Sequence, residues 1–245
     1  MKILVCISNV PDTTTKITFT NDNTQFNTAG VQYIVNPYDE IALSKAIELS
    51  EGGKGTVTVL NVGESNTDPT IRKALAIGAD DAVRINAVPR DAYFTAYQIA
   101  EYAKNNNFDM ILCGRESIDY NGAQVPAMVG ELLGIPSISI IKKLDYDGTT
   151  ATLEREIEGG KEVISVTGMF IASCAEGVAE AKIPNMRGIM SARTKPLIVV
   201  DAVSVEELGK IVKFETPAPR GSVKLVPADE AAKLIDLLHA EAKVI

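Results

Sequence analysis

Short apolar runs alternate with segments of helical period through the first half of the chain. The apolar runs predict strands over residues 2–7, 56–62, 81–85 and 110–113. Ala, Leu and Ile recurring every three or four residues predict helices over residues 38–49, 68–77, 92–105 and 125–133. Gly78 is placed to end the second of these helices in a left-handed conformation. This alternation predicts an α/β fold with a parallel sheet covered by helices on both faces.

After Pro136 the hydrophobic pattern changes from helical spacing towards a period of two. Runs of this kind cover residues 137–146, 149–158 and 161–173. Asp147-Gly148 and Gly159-Gly160 stand between the runs, and such pairs favour the tight turns of antiparallel hairpins. The sequence therefore predicts hairpins added to the parallel sheet.

From Gly177 onward prolines separate short segments until a final helix, predicted over residues 228 to about 242. Leu234, Leu237 and Leu238 fall on one side of that helix. An amphipathic helix at the end of a proline-punctuated segment is typical of a chain that packs on a partner. We therefore expect a nucleotide-binding α/β domain over residues 1–195 and an extended C-terminal arm over residues 196–245.

The composition of the chain excludes several classes of function. The chain has 245 residues, 46% of them hydrophobic, and a formal net charge of −8, which argues against a nucleic-acid partner. Three cysteines in apolar runs and a single histidine at position 239 predict neither disulfides nor a metal site. The first apolar run is too short for a signal sequence or a membrane span. We expect a cytoplasmic protein that is not an integral membrane protein.

Polar loops follow three of the predicted strands. They cover residues 8–12, 63–65 and, most distinctively, 114–124, which is bounded by glycine and leads into a helix. Loops at the carboxyl ends of parallel strands meet at one edge of the sheet, where backbone amides can approach a phosphate. No nucleophile stands with a base at these positions. The loops predict nucleotide binding without bond cleavage.

Several residues near these loops have two interpretations from chemistry alone. Asn36, Pro37, Asp39 and Glu40 suit either a well-capped helix start or a ligand contact. Arg115 can bind a phosphate or form an ion pair with Glu116 or Glu131. A carboxylate at position 119 can cap the following helix while it orders the loop.

The chain resembles the beta subunit of electron transfer flavoproteins over its full length. The matching segments are residues 4–7, 36–43, 74–80, 114–124, 155–160, and 189–196 with Ile189, Met190, Ala192, Arg193, Lys195 and Pro196. Each segment is weak evidence, but their order and spacing together are specific. The resemblance implies a sheet of the adenine-nucleotide alpha-hydrolase type.

The resemblance also implies a structural AMP in this subunit and an FAD held mainly by an alpha subunit. Carried over position by position, the cofactor-binding residues are Cys6, Asn36, Pro37, Tyr38, Asp39, Val62, Gly114, Arg115, Ser117, Ile118, Asp119, Tyr120, Asn121, Gly122, Ala123, Gln124 and Val125. Backbone amides would hold the phosphate, with polar contacts from Asp119, Asn121 and Gln124. Tyr38 would reach towards the flavin of the partner.

A carrier of this type forms a heterodimer with the alpha subunit and is not itself an enzyme. It moves electrons from acyl-CoA or other dehydrogenases, as in fatty acid oxidation, to a membrane quinone oxidoreductase. Met186, with Ile183 as second choice, corresponds to the residue that anchors dehydrogenases. Some relatives instead bind a second FAD in the beta subunit and split electron pairs from NADH. The carboxyl-terminal third favours the AMP-binding type.

Two other classes share the alternating pattern. Adenylyl transferases that cleave ATP need a histidine-glycine-histidine motif or a serine-glycine-glycine phosphate loop, and the chain has neither. A stress-type nucleotide-binding module would end soon after the sheet. The hairpins and the arm favour the subunit of an obligate heterodimer.

Overall fold

The computed structural model describes all 245 residues of the chain. The strands are β1 (Lys2–Cys6), β2 (Asn9–Pro11), β3 (Phe19–Thr20), β4 (Gln25–Phe26), β5 (Tyr33–Val35), β6 (Thr56–Val62), β7 (Asp81–Asn86), β8 (Met110–Gly114), β9 (Ser137–Tyr146), β10 (Thr150–Ile157), β11 (Gly160–Thr167), β12 (Phe170–Cys174) and β13 (Leu197–Asp201). The α-helices are α1 (Pro37–Ser50), α2 (Asp68–Ile77), α3 (Ala92–Lys104), α4 (Val125–Leu133), α5 (Met186–Ala192) and α6 (Ala231–Asp236).

A nine-stranded sheet forms the centre of the molecule, in the order β11-β10-β9-β12-β8-β1-β6-β7-β13. The seven strands from β9 to β13 in that order pair in parallel, and β10 and β11 extend the sheet as antiparallel strands. The fold class is therefore confirmed: a mostly parallel α/β sheet with added hairpins. The predicted strands and helices of the first half agree with the structure to within one or two residues at each end.

The core lies on both faces of the sheet because successive residues of a strand point to opposite sides. In β1, Ile3 and Val5 pack with the residues of α1 and α2, whereas Leu4 and Cys6 pack with residues of α3 on the other face. Burial on both faces explains why the central strands have continuous apolar runs and no alternation.

The predicted third run of the hairpin region, residues 161–173, is two strands and not one. Gly168 separates them with a φ of 87°, a conformation that glycine adopts without a steric penalty. β11 completes the antiparallel hairpin, but β12 inserts in parallel between β9 and β8. All five residues of β12 are buried, so this strand requires cover on both faces and cannot lie at the edge.

The C-terminal region contributes one more strand to the sheet. β13 lies inside the predicted arm and pairs in parallel with β7. Residues 202–227 contain no regular element, and a single turn, α6 and a short π-helix over Leu237–Ala242 complete the chain. Most of this segment is exposed, including Leu225 at 87% and Val212 at 79%. No helix combines the length and the apolar content needed to cross a bilayer.

Candidate functional site

A cavity of about 540 Å³ lies at the carboxyl ends of β1, β6, β7 and β8. The strand order reverses here, since β6 and β7 lie on one side of β1 and β8 on the other. Loops leave the sheet in opposite directions at such a point and open a crevice between them. Ser8 and Asn9, Gly63 and Glu64, and the 114–124 loop all line this one cavity, as their positions after the strands predict.

Asp39 connects two of these loops from the first turn of α1. Its side chain is buried, and its two carboxylate oxygens accept hydrogen bonds from the backbone amides of Ser8 (2.7 Å) and Gly114 (2.9 Å). Burial raises the pKa of Asp39 from 3.8 to about 7, because desolvation outweighs the opposing effect of the hydrogen bonds. Asp39 therefore holds the ends of β1 and β8 in a fixed position beside the cavity.

Asn36 organises the 114–124 loop and does not cap α1 with its side chain. It stands at the N-cap position, but its side-chain amide donates to the carbonyl of Glu116 (2.8 Å), and its side-chain oxygen accepts from the amide of Ile118 (3.2 Å). The interpretation of Asn36 as a side-chain cap is thus wrong. Loop residues distant in sequence offer both a donor and an acceptor, which satisfy a fully buried amide better than one helix amide could.

Gly114 is required by the close approach of α1 to β8. A β-carbon at this position would lie 2.8 Å from the backbone nitrogen of Asp39 and even closer to its carboxylate. Gly63 is equally crowded, with Asn61 Oδ1 and Thr67 Cγ2 each 2.6 Å from the position of a β-carbon. Asn61 is buried and its Oδ1 has no hydrogen-bond partner within the chain. Asn61 Oδ1 is therefore a buried acceptor without a partner behind the Gly63 wall of the cavity.

The last part of the 114–124 loop has an uncommon backbone conformation. Asn121 and Ala123 have φ values of 52° and 51°, and glycine is the residue that favours this region. Such strain in a non-glycine residue is concentrated at functional sites. The N-cap position of α4 is occupied by Gln124 and not by Asp119. The side chain of Gln124 makes no capping hydrogen bond.

Arg115 forms the ion pair that one of its two interpretations predicted. Its guanidinium lies 3.3 Å from the carboxylate of Glu116 and stacks over the ring of Tyr38, with 5.3 Å from Cζ to the ring centroid. Arg115 and Tyr38 thus pack against each other beside the cavity and do not line it.

Most of the predicted cofactor-binding residues meet at the cavity. Those that line it are Cys6, Asp39, Val62, Gly114, Ser117, Asp119, Tyr120, Gly122, Ala123, Gln124 and Val125. Those outside the lining are Asn36, Pro37, Tyr38, Arg115, Ile118 and Asn121. Of these, Asn36 and Ile118 hydrogen-bond to each other and support the wall from behind.

Two parts of the cavity wall were not among the predicted site residues. The loop after β7 and the start of α3 contribute Val88, Pro89, Arg90, Asp91, Ala92 and Thr95, and the distant C-terminal segment contributes Ile211. The first could have been found from the sequence, because a fourth parallel strand must bring its own carboxyl-end loop to the same edge. Nothing in the local pattern around Ile211 indicates its position.

The three cysteines are free and buried, as small hydrophobic residues are. Cys6 and Cys113 are register partners on β1 and β8 and line the cavity. A hydrogen bond from Cys6 and then desolvation raise the pKa of the Cys113 thiol, and burial raises that of Cys174 to about 12. The raised pKa values of Cys113 and Cys174 disfavour their reactive thiolate forms. No group of three or more His, Cys, Asp or Glu side chains is arranged to hold a metal ion.

Ile183 and Met186 lie away from the cavity on an exposed surface, 88% and 73% accessible. Met186 begins a helix, whereas the sequence predicted an irregular loop. Asn185 caps this helix by accepting a hydrogen bond from the amide of Gly188 at 2.8 Å. Arg72 of α2 donates to the carbonyls of Ala192 and Lys195 and fixes the end of the segment.

The fold defines a mostly parallel α/β protein with a cavity at the switch point of its sheet, and comparison with known proteins is more specific. A family model described as the electron transfer flavoprotein domain matches residues 23–205. The electron transfer flavoprotein subunit beta of Bacillus subtilis is 36% identical, with both chains fully covered. The subunit beta of Syntrophomonas wolfei is 34% identical over all of this chain and 98% of the relative.

A third relative is named acryloyl-CoA reductase electron transfer subunit gamma, from Anaerotignum propionicum. It is 31% identical over 91% of this chain and 85% of its own length. The chain therefore belongs to the electron transfer flavoprotein family, as a beta-type subunit, and the resemblance found from the sequence is confirmed. Membership implies an alpha subunit as partner and a part in electron transfer.

Proposed function

We propose that this chain binds AMP as a structural nucleotide and pairs with an alpha subunit that carries FAD. In this heterodimer the FAD supplies the redox chemistry, while the present chain holds a nucleotide, supports the flavin site and presents the surface for electron donors. The observation that carries the proposal is the single cavity formed where four carboxyl-end loops converge at the switch point of the sheet.

The residues around the cavity fit an adenine nucleotide. Its volume of about 540 Å³ falls within the range of about 300 to 1,000 Å³ typical of small-molecule sites. The 119–124 loop and the start of α4 present backbone amides, which suit a phosphate. Gly114 and Gly63 pack closely against neighbouring parts of the chain, which fixes the ends of β8 and β6 at the cavity.

Asp119 and Gln124 are the polar side chains best placed to order the nucleotide. Both line the cavity, and Gln124 has no capping role that would hold its amide elsewhere. Both side chains are exposed in the chain and are therefore accessible to a ligand in the cavity. Tyr38 lies outside the cavity, against Arg115. We assign Tyr38 to the side of the site that faces the flavin of the alpha subunit.

Two surfaces suit the macromolecular partners. The exposed segment after β13, with Leu225 and the leucines of the final helix, would dock on the alpha subunit. Ile183 and Met186 would contact the dehydrogenase that donates electrons, and a membrane quinone oxidoreductase would accept them. The name of the Anaerotignum relative, an electron transfer subunit of acryloyl-CoA reductase, supports acyl-CoA enzymes as the class of redox partner.

The nucleotide content of the purified heterodimer tests the proposal. After denaturation, chromatography of the released ligands should give one AMP and one FAD per heterodimer, and incubation with excess FAD should leave this ratio unchanged. Two FAD per heterodimer, with direct bleaching by NADH, would show that a second flavin occupies the site in place of AMP. The chain would then be half of an electron-bifurcating enzyme.

A further inference from the structure

The segment from Val203 to Phe214, here called the strap, follows the last strand of the sheet and brings one residue, Ile211, to the cavity. It has no regular secondary structure, yet it is attached at both ends. At its start, Gln98 of α3 donates to the carbonyl of Val203 (2.8 Å) and accepts from its amide (2.9 Å). Gln98 itself is 2% exposed, so this pair of bonds is shielded from water.

The far end of the strap is attached to the β3-β4 hairpin on another part of the molecule. The amide of Phe214 donates to the carbonyl of Asn23 at 2.7 Å. Its ring stacks on Phe19, with centroids 4.9 Å apart and planes inclined by 7°. The two attachments hold the strap between α3 and the hairpin, and Ile211 between them lines the cavity.

Ile211 and Val212 have opposite environments although they are neighbours in the chain. Successive side chains of an extended segment point to opposite sides. Ile211 lines the cavity and is 43% exposed, whereas Val212 is 79% exposed and lies outside it. Together with Val88 and Pro89, Ile211 gives the cavity an apolar wall opposite the polar 114–124 loop.

The charges around the cavity explain why such a wall would matter. Five acidic residues line it against one basic residue: Asp39, Glu64, Asp91, Glu116 and Asp119 against Arg90. Side-chain charge therefore repels an anionic nucleotide on balance, and backbone amides must be the main donors to its phosphate. How long the nucleotide stays bound then depends on how completely the walls cover its apolar surface.

We infer that the strap is part of the nucleotide site and that Ile211 retains the bound nucleotide by covering it. This inference rests on the proposed function, since it requires a nucleotide in the cavity. It adds a binding residue that lies far from the other cavity residues in sequence. It also makes nucleotide retention depend on the C-terminal segment of the chain.

The test is the rate of AMP release from the full-length heterodimer. The complex is loaded with radiolabelled AMP and then mixed with excess unlabelled AMP. Ile211→Ala should release the label about tenfold faster than wild type, the loss expected when two or three methylene-sized contacts are removed. Val163→Ala, an exposed apolar position on β11, is the control and should stay within about twofold of wild type, because its side chain lies outside the cavity and outside the C-terminal segment.

Two further variants separate retention by the strap from damage to the cavity. Phe214→Ala and Phe19→Ala each remove the same stacking contact from opposite sides and leave every lining residue in place. Both should speed release in the same direction as Ile211→Ala. Equal release rates for Ile211→Ala and Val163→Ala would overturn the inference while leaving nucleotide binding intact. A wild-type heterodimer that retains no AMP would overturn the proposed function and this inference together.

Discussion

The sheet and the C-terminal segment use apolar residues in opposite ways. In β8 and β12 every side chain is buried, whereas apolar residues from position 208 to the end are largely exposed. The central strands of the sheet bury their apolar residues within the chain, whereas its edge strands expose residues such as Val163 of β11 and Ile198 of β13. The C-terminal segment leaves large apolar side chains in water, which marks a surface that needs a partner. One chain thus combines a self-sufficient domain with an incomplete one.

The sharpest test of this contrast compares one leucine from each region. Leu112 of β8 is fully buried, so Leu112→Ala should lower the free energy of unfolding by about 2–5 kcal/mol. Leu225→Ala should change it by less than about 0.5 kcal/mol when the alpha subunit is absent. Urea unfolding followed by circular dichroism measures both. A similar cost for the two variants would show that the C-terminal segment belongs to the cooperative core.

Bound nucleotide should raise the stability of the sheet domain. Asp119→Ala combined with Gln124→Ala removes the two polar side chains assigned to AMP, and the loss of each hydrogen bond to the ligand typically costs about 0.5–1.5 kcal/mol of binding. The double variant should be purified without nucleotide and should melt at a lower temperature. Asp22→Ala with Gln32→Ala makes the same changes at exposed positions outside the cavity. Full nucleotide occupancy in the first variant would show that Asp119 and Gln124 do not bind the nucleotide.

Deleting residues 228–245 tests the incomplete region directly. The deletion removes Leu234, Leu237 and Leu238 and should weaken heterodimer formation about 100-fold or more, which corresponds to about 2.7 kcal/mol. The thermal unfolding of the sheet domain should stay unchanged, because no strand is removed. Analytical ultracentrifugation of the mixed subunits measures the first effect. Full co-purification of the shortened chain with its partner would assign the final helix a different role.

The buried carboxyl of Asp39 gives the sheet domain a pH dependence that the exposed region lacks. Its folded pKa of about 7 lies above the ordinary value of 3.8, so the folded state binds the proton more tightly. The contribution of Asp39 to stability is therefore present below pH 4 and is lost as the pH rises from about 4 to about 7.

Asp39→Asn should remove this dependence and lower the free energy of unfolding by about 1–3 kcal/mol, because the NH2 group of the side-chain amide would face one of the two backbone amides, of Ser8 or Gly114. The difference between variant and wild type should shrink as the pH rises through that window. Denaturant titrations at several pH values measure it, with the exposed Asp22→Asn as control. A difference that stays constant with pH would mean that Asp39 titrates in its ordinary range.

The smallest effect is expected at Met186. Met186→Ala leaves the fold intact because the side chain is exposed, but it should slow electron transfer from the dehydrogenase several-fold, as loss of an apolar anchor does. Stopped-flow reduction of the flavin by a reduced acyl-CoA dehydrogenase measures the rate. Val163→Ala, an exposed position on β11, should leave the rate unchanged. Equal rates in all three proteins would make Met186 an ordinary surface residue.

Most secondary structure was predictable because it depends on local periodicity. Helix α2 and strand β6 have the predicted bounds, and Gly78 ends α2 with a positive φ of 154°. The division of residues 161–173 into two strands was not predictable from the pattern, because a buried parallel strand and a hairpin strand can both be short apolar runs. Pairing with β8 distinguishes them, and that pairing is a contact between distant segments.

The candidate site was predictable in outline. Three of the four loops that surround the cavity were identified, because parallel strands bring their carboxyl ends together whatever the loops contain. The roles of individual residues were less accessible. Asn36 and Asp39 are equally suitable as cap residues and as partners of distant loops. Asn36 contacts Glu116, 80 residues away, and Asp39 contacts Gly114, 75 residues away. Only the approach of these loops decides between the two roles.

The amino-acid sequence by itself determined the α/β class, the positions of most elements and membership of the electron transfer flavoprotein family, because hydrophobic period, turn residues and ordered motifs are local properties. The tertiary structure alone decided where β12 inserts and from which amides Asp39 accepts hydrogen bonds. It also placed Ile211 at the cavity. Each of these depends on contacts between residues far apart in the chain. Their energies come from burial and hydrogen bonds that exist only after the sheet has brought the segments together.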